Sequence, residues 1–328
     1  MQTIKIYFTD LWPNAKKYNF FLNFLRKHFN VIVDPNPDYL FYSVYGNEHL
    51  KYANCIKIFY TGENMFPDFN LCDYALGFHY FNLDDRYLRL PLYEIYPGFA
   101  TLKDKKIPDE KSLLNRKFCN FIYSNSSNAD PKRALFFKEL CKYKRVDSGG
   151  KFLNNIGYTV EDKNSFIRDY KFTIAFENSS VNGYTTEKIM EPMLVNSLPV
   201  YWGNPLVNLD FNEASFVNVM AFDSFEKAIE EIIRLDKDDD AYLKKMKNAW
   251  IEETFDKIYF EGRLYNFFSN IFSQPLELAG RKCNFGYVKF DVQEKILQAE
   301  LLANRKKVSR FKSRVLKKIS RLRGKKSD

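Results

Sequence analysis

The chain has 328 residues, more than one comfortable core needs and enough for two domains of ordinary size. Apolar residues make up 45% of it and aromatics 17%, with Phe (32) and Tyr (22) dominant, which supplies packed cores and excludes global disorder. The net charge of +9 is concentrated at one end: residues 305–328 hold twelve Lys or Arg against one Asp, leaving about −2 for residues 1–304, so the body is not a nucleic-acid or polyanion binder.

The opening MQTIKIYFTD reads as an immediate strand, Ile4–Phe8, with no charged leader before an apolar run, so no signal peptide is expected. Ala15–Phe29 carries Phe20, Phe21, Phe24, Leu25 and His28 at helical spacing. Strand-like runs follow at 31–33 (VIV), 39–45 (YLFYSVY), 55–60 (CIKIFY) and 73–78 (DYALGF), the alternation of a doubly wound parallel sheet. Residues 101–116 are charged, contain a Pro and lack strand periodicity, which places a domain boundary there. The pattern then restarts with strands at 117–124, 171–177, 198–203 and 214–219. Helices are expected at Pro131–Tyr143, from about Thr186, and over 224–235, 239–254 and 263–272. Pro192, two turns into the Thr186 helix, predicts a kink or an early end. The whole reads as two successive α/β domains, Rossmann-like, facing a cleft. Five scattered Cys without a C-x-x-C pair and three His give neither a zinc signature nor a disulfide framework. Together with the lack of any apolar run of ~18 residues, this predicts a cytosolic body.

The chemistry concentrates in Phe172–Pro205, FTIAFENSSVNGYTTEKIMEPMLVNSLPVYWGNP. A buried strand ends in Glu177–Asn178, a loop turns at Gly183, and a helix opens with Thr-Glu-Lys. Open α/β sheets bind ligands beyond the carboxyl ends of their strands, and a helix start offers free N–H groups to a diphosphate. Lys188 in that first turn opposes the helix dipole, so an anionic partner is expected for it. Glu187 and Lys188 read equally well as solvated first-turn residues. Glu63 reads as a plain turn carboxylate in T-G-E-N, and Arg133 as a surface salt-bridge residue on its helix.

F-E-N-S followed by Y-x-T-E-K and a P-V-Y-W-G strand resembles the donor-binding signature of the α-1,3/4-fucosyltransferases, glycosyltransferase family 10. Residues 59–93, FYTGENMFPDFNLCDYALGFHYFNLDDRYLRLPLY, resemble the amino-terminal segment of its bacterial members. The resemblance runs from about residue 40 to about 270. It implies a GT-B fold with an acceptor-binding domain at 1–104, a GDP-fucose-binding domain at 105–290 whose last helices cross back to the first, and a tail at 291–328. The activity it implies is inverting transfer of L-fucose from GDP-fucose to O3 of N-acetylglucosamine in N-acetyllactosamine-type, Lewis-type acceptors. Glu63 would be the general base, and Arg133 and Lys188 would hold the diphosphate. Glu187 would accept hydrogen bonds from the hydroxyls of the ribose or the fucose. Asn178 and Tyr184 would complete the donor pocket, and Tyr60 would line the cleft beside Glu63. For Tyr184 core packing, and for Asn178 loop capping, remain open. The resemblance also implies no required cofactor and no essential divalent metal. The D-x-D pairs at Asp236–Asp238 and Asp238–Asp240 fall between two helices, where Asp caps a helix start.

In residues 305–328, Val308, Phe311, Val315, Ile319 and Leu322 recur at steps of 3 and 4 among Lys and Arg. This predicts a basic amphipathic helix for an anionic membrane surface, with a solvated tail or nucleic-acid contact as alternatives. The expected location is cytoplasmic, peripheral to the inner face of the membrane. Competing readings are an α-1,4-fucosyltransferase, another nucleotide-sugar-dependent transferase, or a membrane-associated glycan-binding module without activity.

Overall fold

Short runs of Ile, Val, Phe and Tyr that are apolar on both faces fold as parallel strands covered from either side. The structure, a computed structural model, describes residues 3–12, 19–125, 127–251, 257–283, 285 and 287–323. Strands β1 (Thr3–Thr9), β2 (Asn30–Val33), β3 (Tyr39–Tyr42), β4 (Ile56–Tyr60), β5 (Tyr74–Gly77) and β6 (Tyr87–Arg89) form one sheet in the order β2-β1-β3-β4-β5-β6. A second sheet has the order β11-β10-β9-β7-β8, from β7 (Lys117–Phe121), β8 (Val146–Ser148), β9 (Tyr170–Phe176), β10 (Leu198–Trp202) and β11 (Val217–Asn218). All four neighbouring pairs of the second sheet are parallel. In the first, β1 runs parallel to β2 and β3, and β3 to β4.

The helices are α1 (Phe20–His28), α2 (Leu92–Ile95), α3 (Glu110–Leu114), α4 (Lys132–Cys141), α5 (Lys163–Arg168), α6 (Glu187–Leu194), α7 (Phe225–Lys237), α8 (Asp239–Lys247), α9 (Lys257–Ser273), α10 (Leu276–Ala279) and α11 (Tyr287–Arg323). Local chemistry sets their starts. The Asn19 side chain accepts from the Leu22 N–H, Thr186 caps α6, and Ser224 caps α7. Asp238 accepts from the Ala241 N–H to start α8, and Asp236, inside α7, accepts from the Tyr143 hydroxyl and the Lys144 ammonium. Of the two outcomes expected at Pro192, the structure takes the early end: α6 stops at Leu194, and Asn196 follows in the left-handed region at φ 54°.

The chain divides into two compact units, residues 1–60, 67–75 and 269–328, and residues 61–66 and 76–268. The division differs from a boundary at 104. Residues 76–104 belong with the second unit because Tyr93, Phe99 and Leu102 are buried in its core with Phe121, Phe136, Phe172 and Trp202. In the first unit Ile4, Ile6, Phe21, Leu25, Leu40 and Ile58 are almost wholly buried, each worth about 1.5–3 kcal/mol. Its last segment returns to the sheet. The Phe272 ring lies 4.7 Å from Tyr39 and 5.2 Å from Phe29, and buried Asp73 accepts from the backbone N–H groups of Arg281 and Lys282. The expected tail is helical as far as Arg323, starting earlier than read, at Tyr287; residues 324–328 lie outside the described residues. Among the described residues no helix is long and apolar enough to cross a membrane.

Candidate active site

In an open sheet with this topology, the order in which strands are added reverses between the parallel neighbours β7 and β9, and ligands bind where the connections from the carboxyl ends of those two strands part. Here β7 leads through Tyr123 to α4, and β9 leads to Glu177 and Asn178. The Tyr123 hydroxyl accepts from the Phe176 N–H at 2.7 Å and shares its one proton between the Ile174 and Phe176 carbonyls, pinning the end of β9. Arg133, one residue into α4, is brought to the same point. Its side chain is 2% exposed, its guanidinium lies 4.0 Å from the Tyr123 ring centre, and Nη2 donates to the Phe176 carbonyl (3.0 Å) and to Asn178 Oδ1 (2.8 Å). No carboxylate is among those partners, and buried Nε finds none among the described residues. This is not a surface salt-bridge residue. A buried cation answered only by neutral oxygens and a ring is a place for an anion.

The loop after β9 carries the second cation. Thr186 is the N-cap of α6, and its N–H donates to Glu177 Oε1 at 2.7 Å. Glu177 is wholly buried, and Lys188 Nζ lies 3.3 Å from its Oε2, 3.0 Å from Thr186 Oγ1 and 3.7 Å from Glu187 Oε1. Glu177 is thus the anionic partner that the dipole argument demands for Lys188. Burial alone would lower the Lys188 pKa, but Glu177 and Glu187 outweigh it and keep the ammonium charged. Burial pushes Glu177 up, whereas Glu187, also opposed by burial, is carried below its usual range by Lys188 and Lys163.

A buried polar network fixes the shape of this loop. Gly183 takes φ +91°, its N–H donates to Asn204 Oδ1 at 2.7 Å, and a Cβ there would lie 2.3 Å from the Phe78 carbonyl oxygen. Asp210 accepts from Arg89 (2.9 Å), Thr185 (2.9 Å) and the Tyr80 hydroxyl (3.0 Å), while Arg89 Nε donates to the Phe78 carbonyl. At Gly203 a Cβ would meet Glu177 Cγ at 2.4 Å, so only glycine leaves room for that carboxylate.

Glu63 leaves β4 on the 61–66 loop, which belongs to the second unit. Its N–H donates to Thr61 Oγ1 at 3.1 Å, and its neighbour Asn64 donates from Nδ2 to Ser179 Oγ at 2.7 Å. That bond sets the Glu63 loop beside the segment that presents Asn178 to Arg133. Tyr184 is 1% exposed with its ring edge on Phe78 (4.9 Å), and its hydroxyl is held un-ionised by burial and by the charge of Glu177, with Glu63 contributing. Of the two readings left open for Tyr184, its burial and its contact with Phe78 are those of core packing. Tyr60 is 2% exposed in the core of the first unit with its ring 5.0 Å from Phe21, which anchors the strand the loop leaves from.

Sequence reasoning missed Glu177, Arg89, Asn204 and Asp210. Glu177 had a signal, a carboxylate closing a seven-residue buried strand. Arg89 and Asp210 are 121 residues apart and carry no local one. A separate cavity of about 390 Å³ lined by Lys105, Met193, Asn196 and Trp250 lies at the carboxyl end of α6, the wrong pole of that helix for an anion.

Residues 6–96 match the family described as alpha-(1,3)-fucosyltransferase FucT N-terminal domain, and residues 114–258 that described as glycosyltransferase family 10 (fucosyltransferase) C-term. A crystal structure of an alpha1,3-fucosyltransferase is 31% identical and matches at TM-score 0.73, over 83% of this chain and 90% of that one. The chain belongs to glycosyltransferase family 10. A crystal structure of an alpha1,3-fucosyltransferase with GDP-fucose, also 31% identical, matches at TM-score 0.69 over 83% of this chain and 91% of that one. The curated alpha-(1,3)-fucosyltransferase FucT of Helicobacter pylori is 35% identical over 274 residues, 72% of this chain and 57% of the relative. The chain therefore spans somewhat more than half the length of that relative. The two family matches leave 97–113 between them, close to the charged segment read as a boundary.

Proposed function

We propose that the chain transfers L-fucose from GDP-fucose to O3 of N-acetylglucosamine in N-acetyllactosamine-type glycans, with inversion at the anomeric carbon. The observation that carries this reading is Arg133, a buried guanidinium without a carboxylate partner among its bonds, at the switch point of the nucleotide-type sheet. Glu63 takes the proton of the acceptor hydroxyl as that oxygen bonds to the anomeric carbon. The anomeric carbon–phosphate oxygen bond breaks at the same time, and its electron pair leaves with GDP. Arg133 and Lys188 meet the negative charge that grows on the diphosphate, so they favour the transition state over the ground state. Lys188 turns from Glu177 toward the phosphate oxygens, and Glu187, low in pKa and so ionised, accepts from donor hydroxyls. Asn178 keeps Arg133 aimed, and Tyr184 closes the pocket wall. Two side-chain cations do the work that a divalent metal does in other transferases.

Incubation with GDP-fucose and N-acetyllactosamine, with and without a chelator, followed by NMR of the product, tests this. An α-1,3-fucosylated trisaccharide formed equally in both is expected. A β linkage or loss of product with chelator would overturn the mechanism. Retained GDP-fucose hydrolysis without transfer would overturn only the acceptor. The basic end of α11 is assigned to the anionic inner face of the membrane, with the body in the cytoplasm. Removal of 305–328 is expected to abolish binding to phosphatidylserine vesicles, and unchanged binding would refute that assignment.

A further inference from the structure

Phe66 ends the Glu63 loop with 64% of its surface in water, and Met65 beside it is 49% exposed. Beneath Phe66 lies His79, 2% exposed, neither of whose ring nitrogens finds a hydrogen-bond partner among the described residues. The two rings are stacked nearly flat, 3.5 Å between centres and 17° between planes. His79 is fixed from below: its carbonyl accepts from the Tyr87 hydroxyl at 3.0 Å, and the Tyr87 ring stacks on Phe81 at 4.0 Å. Burial, aided by Arg89, holds the imidazole below its usual pKa and so uncharged. An exposed Phe and an unsatisfied buried imidazole are each unfavourable for a folded chain. Here they add up to one thing, an aromatic plate held at a fixed tilt with its outer face open.

We propose that Phe66, backed by His79, is a sugar-binding platform on which the acceptor lays the apolar C–H face of a pyranose ring next to the residue that offers its hydroxyl to Glu63. Three residues of chain span at most about 10 Å, so a ring on Phe66 sits within a saccharide unit or two of the Glu63 carboxylate. The nucleotide sugar is not the occupant, because its diphosphate is drawn to Arg133 and Lys188 and the plate carries no charge. A saccharide fits because its C–H face seeks a flat electron-rich ring while its hydroxyls stay in water around the exposed rim.

The inference rests on the reading of Glu63 as base, and the test separates the two. In Phe66→Trp, indole emission above the wild-type background is titrated with N-acetyllactosamine in the presence of GDP. The same titration is run in Phe66→Trp combined with Glu63→Gln, which removes the proton acceptor and leaves the plate. A saturable shift in both is expected. In steady state, Phe66→Ala is expected to raise the acceptor KM roughly five- to tenfold while the donor KM holds, and Phe66→Tyr to restore it. GDP binding by Phe66→Ala shows that the variant is folded. Emission that ignores the saccharide, emission that answers only an unglycosylated peptide, or an unchanged acceptor KM in Phe66→Ala would each overturn the platform. Full turnover by Glu63→Gln with the emission shift intact would overturn the base and leave the platform standing.

Discussion

A guanidinium keeps its charge at any pH a protein meets, so burying one obliges its surroundings to answer it. Around Arg133 the answer is a tyrosine ring, a carbonyl and an amide oxygen, all neutral. Lys in its place offers one compact ammonium instead of a planar fork with separately directed donors, so it loses the geometry that would hold Asn178 and a diphosphate together. Arg133→Lys is therefore expected to weaken GDP binding by ten- to a hundredfold, as read by calorimetry, with the fold intact. Glu94 shows the opposite sign of burial. Desolvation pushes its carboxyl up to about 7, with Asp210 adding to it, although Arg263 lies 2.8 Å away and Arg89 also lowers it. The folded state thus binds this proton more tightly than the unfolded chain. The stability it contributes is full below the ordinary carboxylate value of 4.5 and is lost as pH rises through about 7, a change on the order of 3 kcal/mol. Glu94→Gln, which does not titrate, should flatten the fall of the denaturation midpoint between pH 5 and pH 7; an unchanged slope would refute the assignment.

At the scale of elements, the site is three loops tied to one another. The Asn64–Ser179 bond joins the turn after β4 to the turn after β9, and Ser179 adjoins the residue that holds Arg133. On the proposed roles, the donor cations and the Glu63 base are thereby coupled. Asn64→Ala is expected to lower kcat by about tenfold with little change in donor KM, because Glu63 loses its register while the cations keep theirs. A rise in donor KM alone would speak against the coupling. Much of this scale was legible beforehand. Buried strands at 56–60, 117–121, 170–176 and 198–202 announced themselves as apolar runs closed by polar turns, and the Thr-Glu-Lys helix start marked the anion end of α6. Strands of three residues, β6 and β8, carry too little pattern to be seen, and α3 hides in the charged segment read as holding a domain boundary because only Leu113 is buried on it. The polar network of Arg89, Asn204 and Asp210 is invisible in sequence for another reason: its members meet only after two sheets and several turns have formed.

At the scale of the molecule, the compact units and a cut drawn through the charged stretch divide the chain at different places. Charge marks where a chain is wet, whereas Tyr93, Phe99 and Leu102 decide which core the segment before it serves. The same division means that the first unit is assembled from pieces that lie far apart, its last piece starting at residue 269. A chain leaving the ribosome displays β1 to β4 long before Phe272 and the Arg281–Lys282 backbone arrive to cover Tyr39 and satisfy Asp73. The second unit, with nearly all of its residues in one stretch from 76 to 268, has its whole core in hand first. Synthesis therefore delivers the nucleotide-type half ready-made and holds back the half that came out first. A nascent chain stalled before residue 269 should resist protease across 117–247 while remaining cleavable within 30–60.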